Sequence, residues 1–353
     1  MDSIYLPLHH GKAPYWLLSK MKRLAKPVLS LIVDEFGERE LIRRFSDPIF
    51  FQSLSNVLGF DWNSSGSTTV LTGVLKSVLN TGDFEIRVAG GKGENAIKTI
   101  QEIESFSEEL NIAENKREEL VRASRLSAKI DNAALQDGYS LYHHCMIFSR
   151  KEWVVVQQGM NEGLKLARRY HHSKKLQAEE PHSGIITQRF ESSVMDLTSK
   201  KSRDARMTIL DIVNDGTYRF DYSRVLSMRK YRDSLIPGRI DWKAIEKAYN
   251  LQPDNFEDLL LVRGVGKSAV RALALIAEIV YDADYSRKDP AKFSFALGGK
   301  DGVPFPVNRY DYERVIEFME SAVRQAELSD FEKKGMLKRL FRLSPSRSRI
   351  HQE

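Results

Sequence analysis

The chain has 353 residues, 42% of them hydrophobic, and carries a formal net charge of +6 at pH 7. This length accommodates two or three domains, and the hydrophobic content is sufficient for ordinary packed cores. The sequence contains no apolar run of about 18 residues, and its start lacks the stages of a signal peptide, so we expect a cytoplasmic protein without a membrane partner. The single cysteine, Cys145, excludes an internal disulfide and a multi-cysteine zinc site, and we expect a buried thiol.

The pattern of residues divides the chain into two domains and a tail. Residues 1–188 mix strand candidates, helices and glycine-rich loops, which predicts a mixed α/β domain whose sheet contains a hairpin. Any catalysis is assigned to this domain. Residues 189–330 are nearly all helical in pattern, so the expected fold class is α+β with a C-terminal, mostly helical domain.

Two loops in the first domain have the composition of anion-binding loops. In "DWNSSGSTTVLTGVLK", Ser65 and Thr68 precede a helical run, where hydroxyl groups either cap the helix or join its free amides around a phosphate. In "VAGGKG", Gly90, Gly91 and Lys92 follow a strand. The latter loop departs from the order GxxxxGK[ST], which excludes an ordinary P-loop nucleotidase but leaves a phosphate cradle as a candidate.

A helix is predicted over "NKREELVRASRLSAKIDNAALQDG", which has helical spacing and ends in a glycine. Arg122, Arg125 and Lys129 recur on it at steps of three and four residues and form a cationic stripe that a DNA backbone could follow. An ordinary solvated face is the alternative explanation for the two arginines.

Candidate catalytic residues cluster around a predicted β-hairpin formed by "SLYHHCMIFS" and "EWVVVQQGM". Alternation along a strand sends His143 and His144 to opposite faces, so only one of them can join a given site. Asp131 and Asp137 precede the hairpin, and His182 follows it in "EEPHSG". Histidine supplies a base near neutral pKa and carboxylates supply oxygen ligands, so a divalent cation such as magnesium or manganese is the candidate cofactor. Because the spacing matches no metal motif, the cofactor is unknown.

The stretch "GMNEGLKLARRYHHSKK" interleaves cations with an aromatic residue. Arg168 and Arg169 would contact the phosphates of a nucleic-acid strand, and the ring of Tyr170 would stack on a base.

A DNA clamp is predicted at "LVRGVGKSAVRALAL". Gly264 and Gly266 allow a tight turn and close approach to a phosphate, Val265 would anchor the turn in the core, and Lys267 and Ser268 open the next helix. A helix that ends in glycine and restarts would explain one glycine, but not the order Gly-Val-Gly-Lys-Ser.

This turn resembles the helix-hairpin-helix of DNA repair proteins, including the base-excision glycosylases. Those glycosylases place a lysine or another residue two positions after the second glycine and a catalytic aspartate in a downstream "PVD"-like stretch. Here Ser268 and, in "PFPVNRYDY", Asn308 stand at those places. The departures weaken the glycosylase reading and leave the clamp reading intact.

A longer resemblance covers nearly the whole chain. It is carried by "HHGKAPYWL", "LGFDWNSSGSTTVLTGVLK", "VAGGKG", "RASRLSAKIDNAALQDGYSLYHH", "VVVQQGMN", "ARRYHH", "EEPHSGI" and "LGGKDGVPFPV". These stretches resemble a family of archaeal and thermophile proteins that is described as a domain of unknown function. The resemblance implies no established chemistry.

The end of the chain is basic. Residues 331–353 hold seven lysines and arginines against two glutamates, which is +5 of the total of +6. We expect a flexible cationic tail that binds phosphate without reading sequence, and a solvated tail without a ligand explains the composition equally well.

Together these features predict a DNA-binding protein that processes DNA in repair, as a nuclease or a lyase acting on a phosphodiester or a damaged site. A base-excision enzyme of the DNA glycosylase type is one alternative. A non-enzymatic DNA-binding or partner-docking protein and an enzyme acting on a small phosphorylated substrate are the others. The strandedness of the DNA and the oligomeric state are not indicated by the sequence.

Overall fold

The computed structural model describes residues 13–60, 65–174, 177–187, 189–227, 236–294 and 309–341. Within these residues, no helix is both long enough and apolar enough to cross a membrane.

Helices come first in the chain, as α1 (Tyr15–Phe45), α2 (Pro48–Leu58) and α3 (Ser65–Leu79). α1 is kinked at Gly37, whose φ of 79° and ψ of 162° are not helical. α2 begins where the Asp47 carboxylate accepts hydrogen bonds from the first amides of the helix, and it ends at Gly59 in the left-handed conformation. These local signals give α2 sharp ends, and all of its residues are buried.

The central sheet has six strands in the order β1-β3-β4-β5-β6-β8. The first five run antiparallel and β8 pairs in parallel with β6. The predicted hairpin is confirmed as the β3–β4 pair. The strands are β1 (Arg87–Lys92), β2 (Leu135–Gln136), β3 (Ser140–Phe148), β4 (Trp153–Asn161), β5 (Leu166–Ser173), β6 (His182–Thr187), β7 (Met195–Asp196) and β8 (Phe293–Ser294), with β2 and β7 forming a separate two-stranded ribbon.

Each face of the sheet is covered by helices. On the back face, Cys145 and Val156 share an apolar core with α1, α2 and α3. On the front face, Met146 and Val155 pack against α5 and α6. The front helices are α4 (Glu94–Ile97), α5 (Thr99–Glu109) and α6 (Glu114–Lys129). A sheet that is covered on both sides carries buried residues at successive positions of its central strands, and β4 and β5 follow this rule.

A β-bulge interrupts the pairing of β5 with β6. His171 is opposite Gly184, but the next residue, His172, is opposite His182 instead of Ser183. Ser183 is therefore the extra residue on β6.

Helices dominate the part of the chain that follows the sheet. Leu273 and Ile276 of the helix Lys267–Tyr281 lie fully buried in an apolar core that is separate from those of the sheet. The helices are α7 (Arg203–Asn214), α8 (Tyr218–Ser227), α9 (Trp242–Leu251), α10 (Phe256–Leu261) and α11 (Lys267–Tyr281). α10 and α11 lie on either side of the turn at 262–266, so a turn between two helices is present as predicted. Its identity as a DNA clamp of the helix-hairpin-helix type stays a prediction.

The last two helices, α12 (Arg309–Gln325) and α13 (Asp330–Phe341), return to the beginning of the chain. Met319 and Met336 are fully buried in the same core as residues of α1 and α2. The predicted assignment of 309–330 to the helical domain is therefore not how these residues pack. Residues 331–341 are also a packed helix and not a flexible tail; the rest of the tail lies outside the described residues.

Candidate functional site

Asp131 lies in a π-helical turn (Ile130–Ala134) that follows directly on α6. The wider turn contains an extra residue relative to an α-helix, and such turns occur frequently at functional sites. Asp131 is fully buried, with 0% of its surface exposed, and its carboxylate faces the front of the sheet.

Two histidines on neighbouring strands donate to this carboxylate. His172 Nε2 lies 2.7 Å from Asp131 Oδ2, and His182 Nε2 lies 2.5 Å from Oδ1. Since His172 and His182 are register partners in β5 and β6, their rings stand beside each other with centroids 4.5 Å apart. An ionised carboxylate can only accept hydrogen bonds, so each Nε2 carries its proton in this arrangement. We call Asp131, His172 and His182 the Asp131 centre.

A chain of hydrogen bonds connects the Asp131 carboxylate to Gln157, His144 and Ser124. Gln157 Nε2 donates to Asp131 Oδ2 at 2.5 Å and to the carbonyl of Ser127 at 3.1 Å. Gln157 Oε1 accepts from His144 Nδ1 at 2.8 Å, which leaves His144 Nε2 to accept from the Ser124 hydroxyl at 2.8 Å. The side-chain amide of Gln157, which is itself held by His144, therefore fixes the orientation of the Asp131 carboxylate.

The carboxylate is ionised in spite of its burial. Burial alone would raise the pKa of Asp131, but the two histidines beside it, which also hydrogen-bond to it, outweigh this effect and bring the pKa to about 2. The centre therefore holds an ionised carboxylate at neutral pH in a buried region.

An open pocket of about 680 Å³ touches the centre at His182. The His182 side chain is 8% exposed, whereas those of Asp131 and His172 are 0% and 1% exposed. The walls come from residues 180–199 and 286–292 and include a partly buried aromatic side chain, Phe190. The charged groups that line the pocket are Glu180, Glu191, Asp196, Asp289, Lys288 and Lys292.

A second polar cluster on the front face surrounds Arg168. Its fully buried guanidinium lies 2.9 Å from Asp137 Oδ2 and 2.7 Å from Asp289 Oδ2. The Tyr170 hydroxyl donates to the same Asp137 oxygen at 2.7 Å. Since Asp289 lines the pocket, the cluster ties strand β5 to the pocket wall.

The structure brings several of the predicted catalytic residues together. Asp131 and His182 are in direct contact, His144 joins them through Gln157, and Asp137 lies in the Arg168 cluster. His143 is on the back face, where its Nε2 lies 3.3 Å from the Thr72 hydroxyl, so His143 and His144 face opposite sides of the sheet as strand alternation predicts.

His172 and Gln157 were missed by the sequence analysis. Strand alternation in "ARRYHH" separates His171 from His172, as it separates His143 from His144, and this signal could have been used. Which strand lies beside β5, and in which register, could not be read from the sequence.

The prediction that Arg168, Arg169 and Tyr170 contact nucleic acid is wrong. Their exposed fractions are 0%, 4% and 0%. β5 is an inner strand with helices on both faces, so its polar side chains point into the protein, where the Arg169 guanidinium stacks on the ring of Phe51.

The two predicted phosphate loops are occupied by protein groups. The Gly90 amide donates to Glu102 Oε2 at 2.7 Å. A Cβ on Gly90, whose φ is 90°, would lie 2.3 Å from the carbonyl oxygen of His144, so glycine is needed for strand packing. Gly91 pairs with His144 in the same ladder, and Lys92 is exposed.

Ser65 and Thr68 are buried at the start of α3. The Thr68 hydroxyl bonds to Gln158 on the back face of the sheet, and the Ser65 carbonyl accepts from the same side-chain amide at 2.8 Å. These contacts hold α3 on the sheet. Because Ser65 and Thr68 are buried, their hydroxyl groups are not exposed to a phosphate at the surface.

The predicted cationic stripe on α6 joins that helix to α10 and the turn. Arg122 forms an ion pair with Asp258 at 2.7 Å, and the Lys129 ammonium donates to the Val265 carbonyl. Arg125 is exposed.

The turn itself has one left-handed glycine. Gly264 has a φ of 98°, and a Cβ there would lie 2.8 Å from Ala244 Cβ. Gly266 has a φ of −133°, an extended conformation that does not require glycine. Val265 is fully buried as predicted, and Lys267 and Ser268 open α11. Asn308, which stands where a glycosylase aspartate is expected, lies outside the described residues.

Comparison with protein families gives a match over most of the chain. Residues 2–307 match the family model described as "Protein of unknown function (DUF763)". This range includes the Asp131 centre, the pocket and the turn, and it stops before α12 and α13. No curated protein and no solved structure matches the chain. The chain therefore belongs to the DUF763 family of proteins of unknown function.

Proposed function

We propose that this protein binds DNA and processes it at the Asp131 centre, as a nuclease or a lyase. The convergence of the centre carries the proposal: His172 and His182 come from separate strands, and both hydrogen-bond to the Asp131 carboxylate beside an open pocket. Ionisable residues that converge in this way on a cleft are typical of reactive sites. A purely structural network would converge similarly, which makes activity the deciding measurement.

Two kinds of chemistry are open to the centre. An imidazole held by a buried carboxylate can take a proton from water or from a sugar carbon or hydroxyl. A carboxylate and two imidazoles can instead hold a cation that activates water. In both cases the reaction takes place at the His182 wall of the pocket, where Lys288 and Lys292 would meet the phosphates of a strand.

The turn at 262–266 is the proposed grip on the DNA backbone. It is attached to the segment that carries the centre: Lys129 bonds to the Val265 carbonyl, and Gln136 Nε2 donates to the Lys267 carbonyl at 2.9 Å. Arg271 Nε donates to Gln136 Oε1 at 2.8 Å. The segment 129–137, which contains Asp131 and Asp137, is therefore bonded directly to the proposed grip. This connection supports a common function for the grip and the Asp131 centre.

A groove between α1 and α13 supplies further positive charge. It has a volume of about 660 Å³, and four exposed cations, Lys20, Arg23, Lys334 and Lys338, line it together with one carboxylate, Glu332. In the proposal it adds phosphate affinity without sequence specificity. Replacing Lys334 and Lys338 by alanine should reduce the slope of log affinity against log salt by up to about 2.

Activity is tested with labelled single-stranded, duplex, abasic and deaminated-base DNA, in the presence of magnesium, manganese, zinc or a chelator. We expect a product from one of these substrates that Asp131→Asn and His182→Ala abolish. His143→Gln is the matched control, because it removes a buried histidine outside the centre. Product formation by all three variants would reject the centre as the reactive site.

Binding is tested at the two glycines of the turn. Gly264→Ala is expected to disturb folding because of its positive φ and its contact with Ala244. Gly266→Ala is the cleaner probe, since its nearest neighbour is 3.8 Å from an added Cβ and its φ is ordinary. A folded Gly266→Ala protein should bind DNA about tenfold more weakly if a phosphate approaches this backbone. Unchanged affinity would reject the grip.

A second candidate is a DNA-binding protein without activity. The near-complete burial of Asp131 and His172 favours it, because neither side chain contacts the pocket directly. DNA binding that depends on Gly266, with no product from any of the substrates, would select this function.

A further inference from the structure

We infer that Asp131, His172 and His182 bind a first-row transition-metal ion of the kind that prefers imidazole ligands, such as zinc, in preference to magnesium or calcium. The ligand atoms of these three residues all lie within 4.8 Å of one another. One carboxylate with two imidazoles is a ligand set for zinc, iron and related ions, whereas magnesium and calcium are bound mainly by oxygen atoms.

The spacing of the ligand atoms requires a small change to admit an ion. Around a tetrahedral ion with bonds of about 2.0–2.2 Å, ligand atoms lie about 3.3–3.5 Å apart. In the structure the carboxylate oxygens are 2.7 Å and 2.5 Å from the two imidazole nitrogens. Separation of the side chains by about 1 Å is sufficient, and each imidazole moves its proton from Nε2 to Nδ1, so no net proton is released by these residues.

The surroundings of Asp131 are those of a supported metal ligand. Metal-binding carboxylates and histidines are commonly held by a second layer of hydrogen bonds. Here Gln157 donates to Asp131 Oδ2 and is itself held by His144, which is bonded to Ser124. A divalent ion would offset the negative charge of a carboxylate ligand in this buried region.

Access for the ion is through the pocket. Glu180, Glu191 and Asp196 line it together with two lysines, whereas the fourth carboxylate, Asp289, is paired with Arg168. Carboxylates along the path to a site raise the local concentration of cations. Three protein ligands leave one position of a tetrahedral ion for water, as in catalytic sites. The use of that position in DNA processing depends on the proposed function, but the binding of the ion does not.

The test measures metal on the purified full chain, independently of DNA. Protein treated with a chelator is dialysed against equimolar zinc and an excess of magnesium, and bound metal is measured by plasma mass spectrometry. We expect about one zinc ion per chain for the wild type and for His143→Gln, and at least a tenfold weaker affinity for His172→Ala and His182→Ala. Equal zinc binding by all four proteins, or magnesium bound in place of zinc, would overturn the inference.

Substitution of buried residues can unfold the protein, so a second measurement uses the wild type alone. Cobalt is added to the chelator-treated protein, and a d–d absorption band that zinc displaces at one equivalent supports a histidine and carboxylate site. Absence of the band overturns the inference. Stoichiometric zinc without any DNA product would reject the proposed function and keep the metal site. A metal-free protein that processes DNA but binds no zinc or cobalt when either is added would keep the proposed function and reject the metal site.

Discussion

The two faces of the central sheet carry similar residues with different consequences. On the front face, His172 and His182 share a carboxylate and lie beside a pocket. On the back face, His143 contacts a threonine, and His171 Nδ1 lies 3.0 Å from the Phe45 carbonyl. Among the described residues, His143 Nδ1 and His171 Nε2 have no hydrogen-bond partner. Histidine content therefore does not distinguish the two faces, whereas a shared carboxylate and a neighbouring pocket do.

The largest expected effect is a loss of activity on substitution at the front face but not at the back face. Asp131→Asn removes the charge that holds both imidazoles, or that binds the ion, and we expect a loss of DNA processing by about 10² or more, since proton transfer and metal activation contribute at least that much. His143→Gln on the back face should change the rate less than about threefold. Initial rates on the same substrate measure both, and equal losses would remove the distinction between the faces.

Stability gives the second test, at Arg168 on the front face. Arg168→Leu leaves the carboxylates of Asp137 and Asp289 buried without their cation, and we expect a decrease in unfolding free energy of about 3–5 kcal/mol. Arg125→Leu, at an exposed position, is the control and should change it by about 0.5 kcal/mol or less. Urea denaturation followed by circular dichroism measures both. A similar small change for the two variants would show that the Arg168 cluster does not hold the front face.

The back face should impose a pH dependence on stability. Burial lowers the pKa of His143 from 6.5 to about 3. The unfolded chain then binds the proton first, so this contribution to stability is complete above pH 6.5 and is lost as the pH falls toward 3, at up to about 1.4 kcal/mol per pH unit. His143→Gln should flatten the curve of unfolding free energy in this window. Parallel curves for the variant and the wild type would contradict the assigned burial of His143.

The smallest expected effect concerns the reactivity of the Cys145 thiol, which is buried on the back face. Burial raises the pKa of its thiol to about 12. Because the thiolate is the reactive form, iodoacetamide at pH 8 should modify the folded protein at a negligible rate and the urea-unfolded protein readily. Mass spectrometry of the intact chain reports the modification, and rapid reaction of the folded protein would mean that the back face opens in solution.

Local patterns in the sequence predict part of this structure. Runs rich in strand-forming residues on either side of "RKE" predict the β3–β4 hairpin, and alternation along a strand separates His143 from His144. The Asp131 centre depends in addition on His172, whose position opposite His182 is set by the pairing of β5 with β6. A bulge in that pairing leaves no periodic signal in a single sequence.

The error in predicting exposed residues in "ARRYHH" has a similar physical cause. Charged and aromatic residues in "ARRYHH" are typical of an exposed binding surface, and the same residues are buried when distant partners compensate them. For Arg168 these partners are Asp137 and Asp289, which are 31 and 121 residues away in the sequence. Local composition contains no information on such pairs, so charge alone predicted the surface for a residue that is in the core.

The extra residue in β6 separates two phases of alternation along one strand. Gly184 lies opposite His171 of the back face, whereas His182, two positions earlier in the chain, lies opposite His172 and faces the Asp131 carboxylate. In a regular strand two residues at this spacing would share a face, so Ser183 is the residue that allows both pairings. A chain lacking Ser183 would form a regular ladder with His182 still opposite His172, and its activity would therefore measure how far the chemistry depends on the local bend of the strand when every reactive side chain is retained.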